Sequence, residues 1–111
     1  ITCIHCELTG APKHFVHVIF QEHPAGDWFT AGNQSSFSIV NASIRAGRSG
    51  EQKLKLMQQI SREWSRIAGQ PEREVVVTVT DIVPEHWMEA GQLMPQPGEE
   101  KEWFARLGSK I

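Results

Sequence analysis

The sequence has no surplus of basic charge, only two cysteines and no long apolar run, and each shortage removes a class of protein. Eleven lysines and arginines stand against thirteen aspartates and glutamates, a formal net charge of −2. Nucleic-acid binders carry a clustered basic excess, so no nucleic-acid partner is expected; four tryptophans without a basic stripe suit core packing, not base stacking. Cys3 and Cys6 cannot build a disulfide framework and are expected as reduced thiols in a cytoplasmic protein. No stretch nears the roughly 20 apolar residues that cross a bilayer, so no membrane partner is expected either. What is left is an ordinary globular composition, 40% hydrophobic and 22% charged, in 111 residues. That length suits one domain, 1–111, around one core.

The chief organising feature is a duplication with an offset of 59 residues. Ile1 matches Ile60, Thr2 matches Ser61, Leu8 matches Ile67, Gly10 matches Gly69 and Pro12 matches Pro71, while His5 falls opposite Trp64. A β-branched and aromatic run follows each proline: Phe15-Val-His-Val-Ile-Phe20 and Val75-Val-Val-Thr-Val-Thr80. Both copies therefore read as helix, glycine stop, proline, strand. Residues 37–45 form a further strand at the front of the second copy. Ser49 then caps a helix with Gln52 in capping-box position, and Met57, Ile60, Trp64 and Ile67 make its apolar stripe.

Strand, helix and strand in close succession make a βαβ unit with parallel strands and a right-handed crossover. The first copy opens at helical spacing on Ile1, Ile4, His5 and Leu8. By the repeat, its leading strand belongs roughly two dozen residues upstream of Ile1, and this chain lacks it. The expected fold is α/β (α+β): tandem βαβ units forming a mostly parallel four-stranded sheet with two helices on one face and the first strand missing. Strands are expected at 14–21, 37–45 and 75–82, and helices at 1–9 and 50–68. A Gly- and Pro-punctuated loop should occupy 22–33, a short helical turn 84–91 and a terminal helix 99–107. The apolar sheet face opposite the helices needs cover, which predicts a homotrimer.

Arg45-Ala-Gly-Arg48 lies between a strand's C-terminal end and a helix N-terminus, the edge where parallel α/β units bind ligands and where anions are favoured. Two guanidiniums three residues apart, with Gly47 to turn the chain, suit a bidentate grip on a carboxylate. Solvated surface ion pairs are the other reading of the same spacing. His5 lies on an apolar helix face, as a core histidine or a catalytic one. Glu89 follows the bulky His86, Trp87 and Met88, where an apolar setting would raise its pKa toward that of a base; a solvated glutamate is the alternative. Cys3, His5, Cys6, His14 and His17 crowd one end, but the gap from Cys6 to His14 is too short for a two-Cys, two-His finger. No metal and no cofactor is expected.

These motifs together resemble the cis-3-chloroacrylic acid dehalogenase family of the tautomerase superfamily. The similar segments are Ile1-Thr-Cys-Ile-His5 through Gly10, Phe20-Gln-Glu-His-Pro-Ala-Gly26, Ile44-Arg-Ala-Gly-Arg48, Met88-Glu-Ala-Gly91, and Leu93-Met-Pro-Gln-Pro-Gly-Glu99 through Trp103-Phe104. They run in order over essentially the whole chain. The resemblance implies paired βαβ units assembled into trimers, with an N-terminal proline acting as acid or base at the start of the strand expected upstream. It implies that Arg45 and Arg48 bind and polarise a substrate carboxylate, that Glu89 activates water and that His5 assists. Electron density drawn toward the carboxylate would leave the β-carbon of an unsaturated acid open to that water. Thr78 stands where the family's dehalogenases carry a tyrosine; its hydroxyl is shorter and far less acidic, and the chain holds no tyrosine. The function implied is a proline-dependent tautomerase, hydratase or dehalogenase acting on small unsaturated or 2-keto carboxylic acids. The alternative is a non-catalytic trimeric binding or structural protein that keeps the fold.

Overall fold

The computed structural model describes residues 1–107. Its core begins with the signals around α2 (Gly50–Ala68). The Ser49 hydroxyl accepts the Gln52 amide at 3.1 Å, and the Gln52 side chain accepts the Ser49 amide at 3.0 Å, so two donors orphaned at the helix start are satisfied. At the other end Gly69 adopts a left-handed conformation, and its amide closes onto the Ser65 carbonyl. On the sheet side, β3 (Ser38–Arg45) and β4 (Val75–Ile82) pair in parallel, from Ser38 beside Val75 to Arg45 beside Ile82.

Strand periodicity turns Val40, Ala42 and Ile44 of β3, with Val77 and Val79 of β4, onto Leu56 and Ile60 of α2. The helix stripe is centred on Leu56 and Ile60, and Ile67, expected on it, is 74% exposed. The reason is that α2 outruns the two-stranded sheet beneath it, so its last turn has nothing apolar to cover. α1 (Thr2–Thr9) adds Ile4 and Leu8 to the same cluster, and Gln52 Nε2 ties it down by donating to the Leu8 carbonyl at 3.1 Å.

The duplication persists into details of the backbone. A 3-10 turn at Lys13–Phe15 recurs at Glu72–Glu74. The hairpin β1 (Phe29–Thr30) with β2 (Asn33–Gln34) recurs as β5 (Met88–Glu89) with β6 (Gln92–Leu93), each turning on Ala-Gly with positive φ at both residues. The Trp28 carbonyl accepts from Ser35 as the Trp87 carbonyl accepts from Met94. The loop expected at 22–33 thus contains a hairpin, and the helical turn expected at 84–91 is a 3-10 turn, Pro84–His86, followed by another. Both corrections have one cause: an Ala-Gly pair between residues able to bond across selects a two-residue hairpin over a helical turn.

The strand expected at 14–21 does not form. Residues 16–23 hold the repeat position of β4, yet no strand lies beside them among the described residues, and Ile19 and Phe20 are 90% and 74% exposed. A β-branched run becomes a strand only when a neighbour takes up its backbone groups. The parallel pair therefore supplies the second half of the expected four-stranded sheet. Between residues 16–24 and β3 lies a cavity of about 1380 Å³. The expected span of 1–111 includes residues 108–111, which lie outside the described residues. No helix among those described is long and apolar enough to cross a membrane.

Candidate functional site

The end of β3 delivers Arg45 into a packed corner. The 94–98 segment folds back over the turn after the strand, where Gly47 has φ 119° and an added Cβ would sit 3.2 Å from Pro97 Cγ. Around it Phe15, Met94, Trp103 and Leu107 form a second buried cluster with Trp87 and Phe104 against it, and Trp103 Nε1 donates to the Leu93 carbonyl at 2.7 Å. The Arg45 side chain, 3% exposed, is held there from two sides. Its Nη1 donates to the Pro95 carbonyl at 2.8 Å, its Nη2 to Glu100 Oε1 at 2.8 Å, and its guanidinium lies 4.9 Å from the centre of the Phe15 ring. Glu100, at the start of α3 (Glu100–Leu107), takes the Gly98 amide on its other oxygen at 2.9 Å. Burial pushes the Glu100 carboxyl up, but the Arg45 hydrogen bond, the two backbone amides and the Arg45 charge outweigh it, and the net shift is downward.

Arg48 differs. It is also buried, but its Nη1 reaches only the Arg45 carbonyl at 3.2 Å, and among the described residues no carboxylate lies within ion-pair distance of it. Burial, then the Arg45 charge, lowers its pKa, with Glu100 opposing. Both arginines line the large cavity, and so does His5. Burial lowers the His5 pKa, helped by Arg48 and then Arg45, so the imidazole is neutral at pH 7. The repeat partner of His5, Trp64, lines the same cavity.

Glu89 is not in the cavity wall. It sits on β5 and meets His17, Nε2 to Oε1 at 3.1 Å, and His17 is a wall residue. The structure therefore brings His5, Arg45 and Arg48 to one cavity and sets Glu89 behind another part of its wall, at His17. Thr78 donates to Asn41 Oδ1 at 2.6 Å on the sheet face away from the helices. Cys3 and Cys6 are free, and no group of three metal-ligating side chains occurs among the described residues. Sequence reasoning missed Glu100, Phe15 and His17. An acidic first turn on the terminal helix is a signal that could have drawn attention to Glu100, but nothing in the local sequence says that it meets Arg45, 55 residues away.

A family model described as "Putative oxalocrotonate tautomerase enzyme" matches residues 1–107. The crystal structure of N1, a member of the cis-3-chloroacrylic acid dehalogenase family, superposes with a TM-score of 0.92 at 37% identity, over 98% of this chain and 78% of that one. The Q0 fused 4-OT symmetric trimer gives 0.78 at 29% identity, over 84% and 76%. The F6 fused 4-OT asymmetric trimer gives 0.77 at 26% identity, over 83% and 76%. No curated protein matches. The parallel βαβ unit and the whole-length match define a member of the tautomerase superfamily. Within it the chain belongs with the cis-3-chloroacrylic acid dehalogenase-like proteins, among enzymes of tautomerase and dehalogenase type.

Proposed function

We propose that this chain forms the carboxylate-binding part of an enzyme acting on small unsaturated or 2-oxo carboxylic acids. The observation behind the reading is Arg48: a buried guanidinium without an anionic partner among the described residues, in a cavity shared with Arg45 and a neutral His5. A buried, unpaired charge is costly, and a ligand carboxylate offsets that cost. In this scheme Arg48, with Arg45 beside it, holds the carboxylate and draws electron density toward it. Glu89 activates a water, His5 hydrogen-bonds in its neutral form, and a general acid, an N-terminal proline by the family resemblance, returns the proton. The domain is read as a single unit in a homotrimer. That follows the fused 4-OT relatives, described as trimers, and the sheet face left open at Ile39 and Val76.

The second reading, a carboxylate binder without turnover, draws on two observations: Glu89 faces His17 outside the cavity wall, and Thr78 is committed to Asn41. Hydratase or tautomerase chemistry is favoured over dehalogenation for the same reason, since Thr78 offers no acidic hydroxyl. The intact protein, assayed on 2-oxo acids, acetylenic acids and 3-haloacrylates, should turn over at least one. Glu89→Gln should lower kcat about 100-fold or more while sparing binding, the scale of lost general-base catalysis. Tight carboxylate binding with no turnover on any of them would favour the second reading.

A further inference from the structure

Although they are neighbours, Arg45 and Arg48 differ in charge balance. Arg45 has its carboxylate already: Glu100 holds Nη2 at 2.8 Å, and the Pro95 carbonyl holds Nη1 at the same distance, in a corner closed by Phe15. Glu100 is itself fixed by the Gly98 amide, so the pair is built from both sides. Arg48 has only a backbone carbonyl. Glu100 stands behind Arg45, outside the cavity wall, and the carboxylate in the wall itself, Glu22, is exposed and makes no ion pair among the described residues. Two buried guanidiniums and one partly buried carboxylate leave a single uncompensated positive charge. An arginine pair free of Glu100 would instead offer two, and would suit a dicarboxylate at least as well as a monocarboxylate.

We propose that Glu100 is a specificity-determining residue: by neutralising Arg45 it leaves Arg48 as the guanidinium without a carboxylate partner among the described residues and restricts the site to a single carboxylate. This rests on the reading that the arginine site takes a carboxylate at all. A second carboxylate entering beside the first meets the partly buried charge of Glu100 as a like charge behind Arg45 and finds two of the Arg45 donors already taken. Arg45 then acts as a positioning residue, its carbonyl orienting Arg48 and its charge helping to hold His5 neutral.

Butyrate and succinate share four carbons and differ by one charged group, so calorimetric titration of both against the intact protein at pH 7.5 tests the proposal. Wild type should bind butyrate more tightly than succinate. Glu100→Gln should tighten succinate by about 10–100-fold, the scale of a charge-assisted hydrogen bond gained at Arg45, and change butyrate much less. Arg48→Gln should weaken both acids. Succinate binding wild type as tightly as butyrate would overturn the proposal without any variant, should Glu100→Gln fail to fold. So would a folded Glu100→Gln protein with unchanged preference. In either case, loss of binding in Arg48→Gln would leave the carboxylate reading intact. Neither acid binding wild type, or Arg48→Gln binding both normally, would remove the carboxylate reading and the proposal together.

Discussion

The two copies of the repeat agree in their turns and differ in their strands. The helix stop, the proline-led 3-10 turn and the Ala-Gly hairpin each appear twice at the same offset, down to matching backbone hydrogen bonds. Yet β4 pairs along its whole length with β3, while residues 16–23 pair with nothing among those described. Turn chemistry is local: a glycine, a proline or an Ala-Gly pair acts within four residues of itself. A strand is a relation between segments, and a β-branched run at the same repeat position is a paired neighbour in one copy and an open cavity wall in the other.

The largest test of that difference is in packing. Leu56, 1% exposed between helix and sheet, should cost about 2–5 kcal/mol when cut to alanine. Ile19, 90% exposed in the unpaired run of the first copy, should change stability by less than about 0.5 kcal/mol. Denaturant unfolding of Leu56→Ala and Ile19→Ala measures both, and comparable losses would mean that the first copy is packed in solution in a way its exposed run does not suggest.

The copies also differ at the His5–Trp64 position, which gives a pH dependence to the first copy alone. A histidine held below its ordinary value of 6.5 resists charging in the folded state, so the unfolded chain takes up the proton first. Stability should therefore decline as pH falls below about 6.5, and His5→Asn should flatten that step. Glu100 adds a separate loss at lower pH. Its carboxyl lies below the ordinary 4.5, so its contribution is complete above that value and fades as pH drops through the folded pKa. Melting temperatures of wild type, His5→Asn and Glu100→Gln between pH 3 and 8 separate the two, and an unchanged upper step in His5→Asn would reject the assignment.

The smallest effect sharpens the likeness. Ala31 and Ala90 carry φ of 51° and 53°, a conformation that glycine adopts without strain. Ala31→Gly and Ala90→Gly should each stabilise by roughly 0.5 kcal/mol, the strain relieved less the chain entropy added. Unequal effects in thermal unfolding would show that the hairpins are equivalent in shape but not in surroundings.

Most of the fold was legible wherever signals were local or periodic. The Ser49 cap and Gly69 stop bracket the helix over the residues expected, and alternation along 38–45 and 75–82 locates both strands. The run at 15–20 misled because its residues favour a strand, while its pairing depends on a neighbour that no local signal supplies. The site was legible in part for the same reason. Arg45, Arg48 and His5 sit on a strand end, a helix start and a helix face, and the duplication fixes where those lie. Glu100 reaches Arg45 only because the 94–98 segment folds back over Gly47, a contact that no spacing announces. The sequence around Glu89 reads as a helical turn, and its place on a hairpin is what turns it toward His17.

Whether buried Arg48 takes a carboxylate is tested most directly by a titration of carboxyl-labelled ¹³C-butyrate against the intact protein, followed at the carboxyl carbon. Wild type should shift the resonance saturably, and Arg48→Gln, confirmed folded, should weaken that binding by about tenfold or more. The same saturation curve in both proteins would show that the carboxylate sits elsewhere and that Arg48 is buried for structural reasons alone.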